Sequence, residues 1–273
     1  QAQPHLAAKN LDGHLVVPLD TIAWLANLRG DAFAYQATFP ARAVAFADRL
    51  LVAFAEGAAL PELPGDGVLI KADLGGFVRR LKQQGNGRKM RLGFASASTP
   101  QALALQLEAA GIELVETEDP FRRTKAIKTP EELRHMRSAF YRADRVVEKL
   151  QTWVNREVGA GRRVTEFDVD EKLRALFVQS GVAGLSFKPI CAAEKNGAII
   201  HYSNLDRGTA LQDGMMFLLD TGAFYEGGYA TDLTRTFLIG GSNAVASSAQ
   251  RKIFTLVLKG SIAGMRARLP FGT

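Results

Sequence analysis

Cysteine is nearly absent: Cys191 is the one such residue in 273. No internal disulfide can therefore form, which fits a reducing, cytoplasmic setting. Its neighbours in "KPICAAE" are mostly apolar and no histidine is near it in sequence, so a buried structural thiol is expected rather than a nucleophile. Long apolar runs are missing too. No stretch reaches the roughly 18 residues that a membrane-spanning helix requires. The opening "QAQPHLAAKN" has no apolar segment of the kind that marks a signal peptide. It also has no Met, and the chain closes on the Pro-Gly turn of "MRARLPFGT", so both ends read as points inside a longer product. The net charge is +6, but Lys and Arg are scattered rather than interleaved with aromatics on one element. That pattern predicts solvated surface and no nucleic-acid partner.

What is present reads as two kinds of organisation. Residues 1–122 alternate between short apolar strands ("HLVVPL", "RAVAFA", "RLLVAFAEG", "KMRLGFA", "IELVET") and helical patterns ("DTIAWLANLRG", "DLGGFVRRLKQQG", "TPQALALQLEAAG"). Alternation of this kind predicts an α/β layered domain. Asp20 and Gly30 are the expected ends of the first of these helices, and Pro100 the first residue of the last. A charged segment, "EDPFRRTKAIKTPEEL", then leads into 123–273. Thr129 and Pro130 start a long helix with an expected apolar stripe of Leu133, Met136, Phe140, Val147 and Leu150. A second capped helix ends at Gly181. The period then changes to that of strands in "FKPICAAE", "AIIHYSN", "MMFLLDTGAFY" and "YATDLTRTFLIG", and returns to helix from "SSAQRKIF". Helices around antiparallel hairpins predict an α+β arrangement.

The stretch "LLDTGAFYEGGYATDLTRTF" (218–237) carries the chemistry. As a hairpin it puts Asp220 and Asp232 on one face, directly opposite if the turn centres on Glu226 and diagonal if it centres on Gly227. Like charges so placed repel. In the dry setting suggested by Leu218, Leu219, Leu233 and Phe237, either one carboxylate protonates or a cation lies between them. Hard oxygen ligands suit Mg²⁺ or Mn²⁺. The alternative is local capping, with Asp220 opening an Asx turn into Thr221-Gly222 and Asp232 bonding Thr234. An aspartic-protease reading of "DTG" needs two such loops, and one is present.

This hairpin resembles that of the pita-bread metallopeptidases, in particular aminopeptidase P (Xaa-Pro aminopeptidase) in its long, three-domain form. "IAWLANLRGDAFAYQATFPARAV" is similar to the opening of that family's middle domain, and "KTPEELRHMRSA" to the helix that starts its catalytic domain. "LSFKPICAAEKNGAIIHYSN" resembles the segment with a substrate-site histidine, and "VLKGSIAGMRARLPFGT" the helix and turn after the hairpin. The resemblance implies an α/β non-catalytic, creatinase N-terminal-like domain (1–122) followed by an α+β pita-bread domain (123–273) that is incomplete in this chain. It implies that Asp232 bridges two divalent ions, Mn²⁺ in expectation, and that Asp220 holds one. His201 would face the scissile proline, and Arg235 would support the ligands by ion pairing. A hydroxide between the ions would then cleave the Xaa-Pro bond of peptides with proline second, in a homodimeric enzyme. The further His and two Glu ligands of that pattern are expected beyond Thr273, and the chain alone is expected to be inactive. Two rivals stand beside it: a non-catalytic pita-bread binding module, and a prolidase-like Xaa-Pro dipeptidase.

Overall fold

The computed structural model describes residues 2–60, 67–85, 88–240 and 244–269. The chain divides into two units, 1–138 with 224–229, and 139–223 with 230–273. The division falls inside a helix, whereas the change of sequence period lies near 122/123.

In the first unit, α1 (Ala2–Lys9), β1 (Gly13–Val16), α2 (Leu19–Ala26), β2 (Ala41–Phe46), β3 (Leu50–Phe54), β4 (Val68–Lys71), α3 (Leu74–Gln84), β5 (Arg91–Phe94), α4 (Gln101–Ala109), β6 (Glu113–Glu116) and α5 (Pro120–Ala126) follow in order. The strands form one mixed six-stranded sheet in the order β4-β3-β2-β1-β5-β6. The pairs β1–β2 and β2–β3 are antiparallel, and the outer pairs are parallel. Both faces are covered, which explains the nearly continuous apolar strands. Leu15, Val44, Phe46, Leu51 and Ala53 pack on one face with Phe77 and Leu81 of α3 and Leu103 and Leu107 of α4. Their neighbours Val16, Ala43, Ala45, Val52 and Phe54 pack on the other with Ile22, Ala23 and Phe121. Period-2 alternation thus feeds two cores from the same strands.

Some helix ends differ from the sequence expectation. α2 follows Pro18 and stops at Asn27 in the left-handed region (φ 51°), so Asp20 lies in the first turn rather than at the cap and Gly30 lies beyond the end. Asp20 is ion-paired with Lys125. Pro100 is the residue before α4 rather than its first.

The long helix α6 (Pro130–Gly159) begins with a capping box in which Thr129 Oγ1 accepts from Glu132 N–H (3.1 Å) and Glu132 Oε2 from Thr129 N–H (2.8 Å). Its buried stripe is Ala139, Ala143, Val146, Val147, Leu150 and Val154. Of the expected stripe, Val147 and Leu150 are buried, while Leu133 and Phe140 are exposed because Ala139 and Ala143 occupy the buried face in this half of the helix.

Beyond α6 the chain continues with α7 (Glu166–Gln179), the short β7 (Gly184–Leu185), β8 (Ile190–Ala193), β9 (Met216–Thr221), β10 (Ala223–Tyr225), β11 (Tyr229–Ala230), β12 (Leu233–Leu238) and α8 (Ser248–Arg266), with 224–229, and so most of β10 and the start of β11, belonging to the first unit. β8, β9 and β12 form an antiparallel sheet in the order β12-β9-β8. The segment "AIIHYSN" is no strand: a 3-10 turn (Glu194–Ala198) and irregular chain replace it, with Ile199 and Ile200 exposed. α8 is the helix that the period there predicts, and Ser247 and Gln250 cap its start. The Pro-Gly turn expected at 270–272 lies outside the described residues.

Candidate metal and substrate site

Strand register decides which side chains meet. Asp220 of β9 lies opposite Thr234 of β12 and opposite Ile190 of β8. The paired numbers sum to twice 227, so the hairpin centres on Gly227 and Asp232 is the diagonal neighbour of Asp220. Asp232 stands two residues before Thr234, on the same face. The hairpin is pinched between the two aspartates. A side chain on Gly222 would put its Cβ 1.9 Å from the Thr231 carbonyl oxygen and 2.4 Å from Ser186 Oγ. Only glycine admits this approach, and Thr231 N–H donates across it to Ala223 O (2.9 Å) while Ser186 Oγ donates to Thr231 O (2.8 Å).

A cavity of about 380 Å³ opens on this face. Asp220, Asp232 and His201 line it together, with Ile190, Phe187, Lys188, Tyr202 and Ser203 completing the wall. The three residues that the resemblance singled out for metal and substrate therefore share one cavity. A larger cavity, about 730 Å³, lies in the first unit beside Ser96, Ser98, Arg122 and Arg123, and contains none of them.

The setting is wetter than the flanking leucines suggested. Asp220 is half-buried and Asp232 exposed. Leu219 lies one residue along from Asp220, so alternation sends it to the opposite face, where it and its partner Cys191 are fully buried. At an exposed site two unit charges about 4 Å apart repel by only about 1 kcal/mol in bulk water, so proximity alone does not demand a cation. Local capping is realised differently as well. The Thr234 hydroxyl donates to Asp220 Oδ1 across the strands (2.8 Å), not to Asp232.

Arg235 is opposite Leu219, on the reverse face of β12. Its Nη2 donates to Asp144 Oδ1 of α6 (2.9 Å) and its Nη1 to Thr234 O (3.0 Å). The expected ion pair with the carboxylates is thus replaced by one with a helix, for the same parity reason. Cys191 is buried, and burial pushes its thiol well above the usual range, which suits an inert core residue.

The sequence reading missed Glu166 and Tyr202. Glu166 is 2% exposed and its carboxylate accepts four hydrogen bonds. Oε1 receives Ala193 N–H (2.7 Å) and Asn196 Nδ2 (2.9 Å), while Oε2 receives Tyr202 OH (2.6 Å) and Asp206 N–H (2.8 Å). An acidic residue in a first helical turn ordinarily signals a surface partner of the helix dipole, and that role concealed this one. His201, adjacent to Tyr202, adopts φ 56°.

Carboxylate oxygens with a nearby imidazole suit a divalent cation of the Mn²⁺ or Zn²⁺ type. The pair fits as part of a ligand set. Among the described residues no group of three or more His, Cys, Asp or Glu comes close enough to hold an ion.

Residues 134–273 match the family described as Metallopeptidase family M24, and residues 2–132 the Creatinase/Prolidase N-terminal domain. The chain belongs to metallopeptidase family M24. A relative from Neosartorya fischeri, named as an Xaa-Pro aminopeptidase P, is 34% identical over 98% of this chain and 42% of its own length. The chain thus spans less than half the length of such relatives. An X-prolyl aminopeptidase from Caenorhabditis elegans, described as a cytosolic enzyme with a di-nuclear active site, aligns with TM-score 0.82 and 24% identity over 99% of this chain and 45% of its own. A prolidase from Pyrococcus horikoshii aligns with TM-score 0.74 and 20% identity, over 98% and 71%. The fold is accordingly a creatinase-type α/β domain followed by the pita-bread domain of the M24 enzymes.

Proposed function

We propose that the intact protein is a metal-dependent aminopeptidase that releases the first residue from peptides with proline second. The observation that carries this is the convergence of Asp220, Asp232 and His201 on one 380 Å³ cavity in an M24-family chain. Asp232 and Asp220 would hold two divalent ions, with further ligands supplied from outside the described residues. Bound metal supplies Lewis-acid activation of water and of the scissile carbonyl. The chain's own part is positional. β9 and β12 fix the carboxylates at a set diagonal spacing, and Ile190 gives one apolar wall. His201, on an exposed bend, is placed to meet the proline side of a substrate.

Manganese is our choice of metal, on the hardness of the carboxylate donors. We further propose a homodimer in the cytoplasm, with residues 1–122 non-catalytic. The single buried thiol and the C. elegans neighbour's description as cytosolic support the location. No helix among the described residues is long and apolar enough to cross a membrane.

Asp232→Asn in the intact protein keeps the side chain's shape and removes its charge. It is expected to abolish Mn²⁺-dependent release of the first residue from an Xaa-Pro-Xaa tripeptide and to lower metal stoichiometry, measured by elemental analysis. Being exposed, the site should change metal-free stability by no more than about 0.5 kcal/mol. Full metal content and turnover in both Asp232→Asn and Asp220→Asn would sink the assignment. Turnover confined to Xaa-Pro dipeptides would turn it toward a prolidase.

A further inference from the structure

His201 is held in an unfavourable conformation, and the group that holds it is identifiable. Residues with a side chain at positive φ are uncommon and persist where their surroundings over-determine them. Two of them bound this segment, Glu194 (φ 50°) and His201 (φ 56°). Glu194 is tied at one end, its carboxylate accepting from Met216 N–H of β9 (2.6 Å). Between and beyond them the chain forms little regular structure, so its backbone has few ladder partners of its own.

Glu166 supplies the substitute. Its first oxygen holds the end of β8 through Ala193 and the 3-10 turn through Asn196. Its second oxygen holds the far side of the bend through the Tyr202 hydroxyl and the Asp206 amide. Asn196 also donates to Tyr202 OH (3.1 Å), and Tyr202 OH contacts Asn204 O (2.5 Å), so the attachments are cross-braced. Tyr202 is 7% exposed, and burial together with the Glu166 contact pushes its hydroxyl up to about 12, which keeps it a donor. Glu166 itself is anchored at the first turn of α7, where the Thr165–Asp168 capping box fixes the helix start.

We infer that Glu166 is a positioning residue for His201: its four-bond carboxylate clamp sets the bend that presents the imidazole to the cavity shared with Asp220 and Asp232. This rests on the peptidase reading for its kinetic consequence, but not for its structural one. Glu166 touches neither the cavity's carboxylates nor the space a substrate would fill. It acts through Tyr202 and the backbone on either side of the bend.

The test uses the intact, metal-loaded protein. Glu166→Gln puts an NH₂ donor among the four donors that the carboxylate now satisfies, and Tyr202→Phe removes one donor while preserving shape. In histidine-labelled protein, the His201 imidazole signal, assigned by its loss in His201→Ala, is expected to shift or broaden in both variants. KM for an Xaa-Pro tripeptide is expected to rise about tenfold in Glu166→Gln, in line with displacement of a positioned group, with metal stoichiometry unchanged. In a His201→Ala background the same change should add less than about twofold, because the two residues act as one unit. An unmoved His201 signal, or equal tenfold losses in both backgrounds, would overturn the inference. If Glu166→Gln fails to fold, Tyr202→Phe decides alone by the same two readouts. If the parent protein shows no Xaa-Pro turnover, the functional proposal fails, and the His201 signal still judges the clamp.

Discussion

His14 sits at the opposite extreme from His201. It lies on β1, 1% exposed, with the His5 and Phe121 rings each 6.0 Å away edge-on and Thr117 Oγ1 3.5 Å from its Nδ1. Burial pushes its imidazole down to about 4, Asp119 opposes the shift, and His5 adds to it. The folded state therefore binds fewer protons than the unfolded chain between pH 4 and the ordinary histidine value of 6.5. Stability is fully present above pH 6.5 and is lost as pH falls toward 4, by roughly 2–3 kcal/mol at the acid end. Tm measured from pH 7.5 to 4 should fall for the parent and fall distinctly less, from a lower starting value, for His14→Gln. Parallel pH profiles for the two proteins would remove His14 as the cause. Nothing in the sequence marks His14 as buried beyond its place in an apolar run.

At the scale of elements, the hairpin was partly legible. The two strand-like runs, the turn and the shared face of Asp220 and Asp232 follow from period-2 alternation and from the glycines at the turn. Which of two registers holds does not, because it depends on the backbone pinch at Gly222, a contact between residues nine apart. The same alternation puts Arg235 and Leu219 on the reverse face, so their separation from the two carboxylates is legible in the strand period alone. The apolar residues of "AIIHYSN" imitate a strand, while the bonds that shape the segment come from Glu166, more than thirty positions away. Gly222→Ala tests the pinch. The added methyl cannot fit beside Thr231 O, and the strands must part, at a cost of about 1–3 kcal/mol or more. We expect a lower Tm and weaker metal binding together in this variant. A Tm unchanged within a degree would show that the hairpin accommodates the methyl and that the pinch does not set the carboxylate spacing. Arg235 and Asp144, both largely exposed, form an ion pair of the kind that contributes under about 1 kcal/mol.

For the molecule as a whole, fold class was legible because both signals are local. Strands alternate with helices up to "EDPFRRTK", and hairpins flanked by helices follow. The compact units are less so, since the segment 224–229 groups with the first unit through contacts such as Arg29 Nε to Gly227 O (2.7 Å), which no local pattern announces. The candidate site has the same character. Its hairpin and its histidine can be read from short motifs, yet a metal centre is a property of the complete ligand set. Two carboxylates on an open sheet face leave most of a cation's coordination to water, and screening by salt weakens what attraction remains. The 273-residue chain by itself is therefore expected to bind Mn²⁺ with a Kd on the order of 0.1 mM or weaker, as sparsely liganded oxygen sites do. It should show no Xaa-Pro hydrolysis at any Mn²⁺ concentration that keeps it soluble. Calorimetric titration and a tripeptide assay on the purified chain check both statements. Micromolar binding with turnover would mean that Asp220, Asp232 and His201 already form a working centre among these residues, and that the remaining ligands expected from the family resemblance are dispensable.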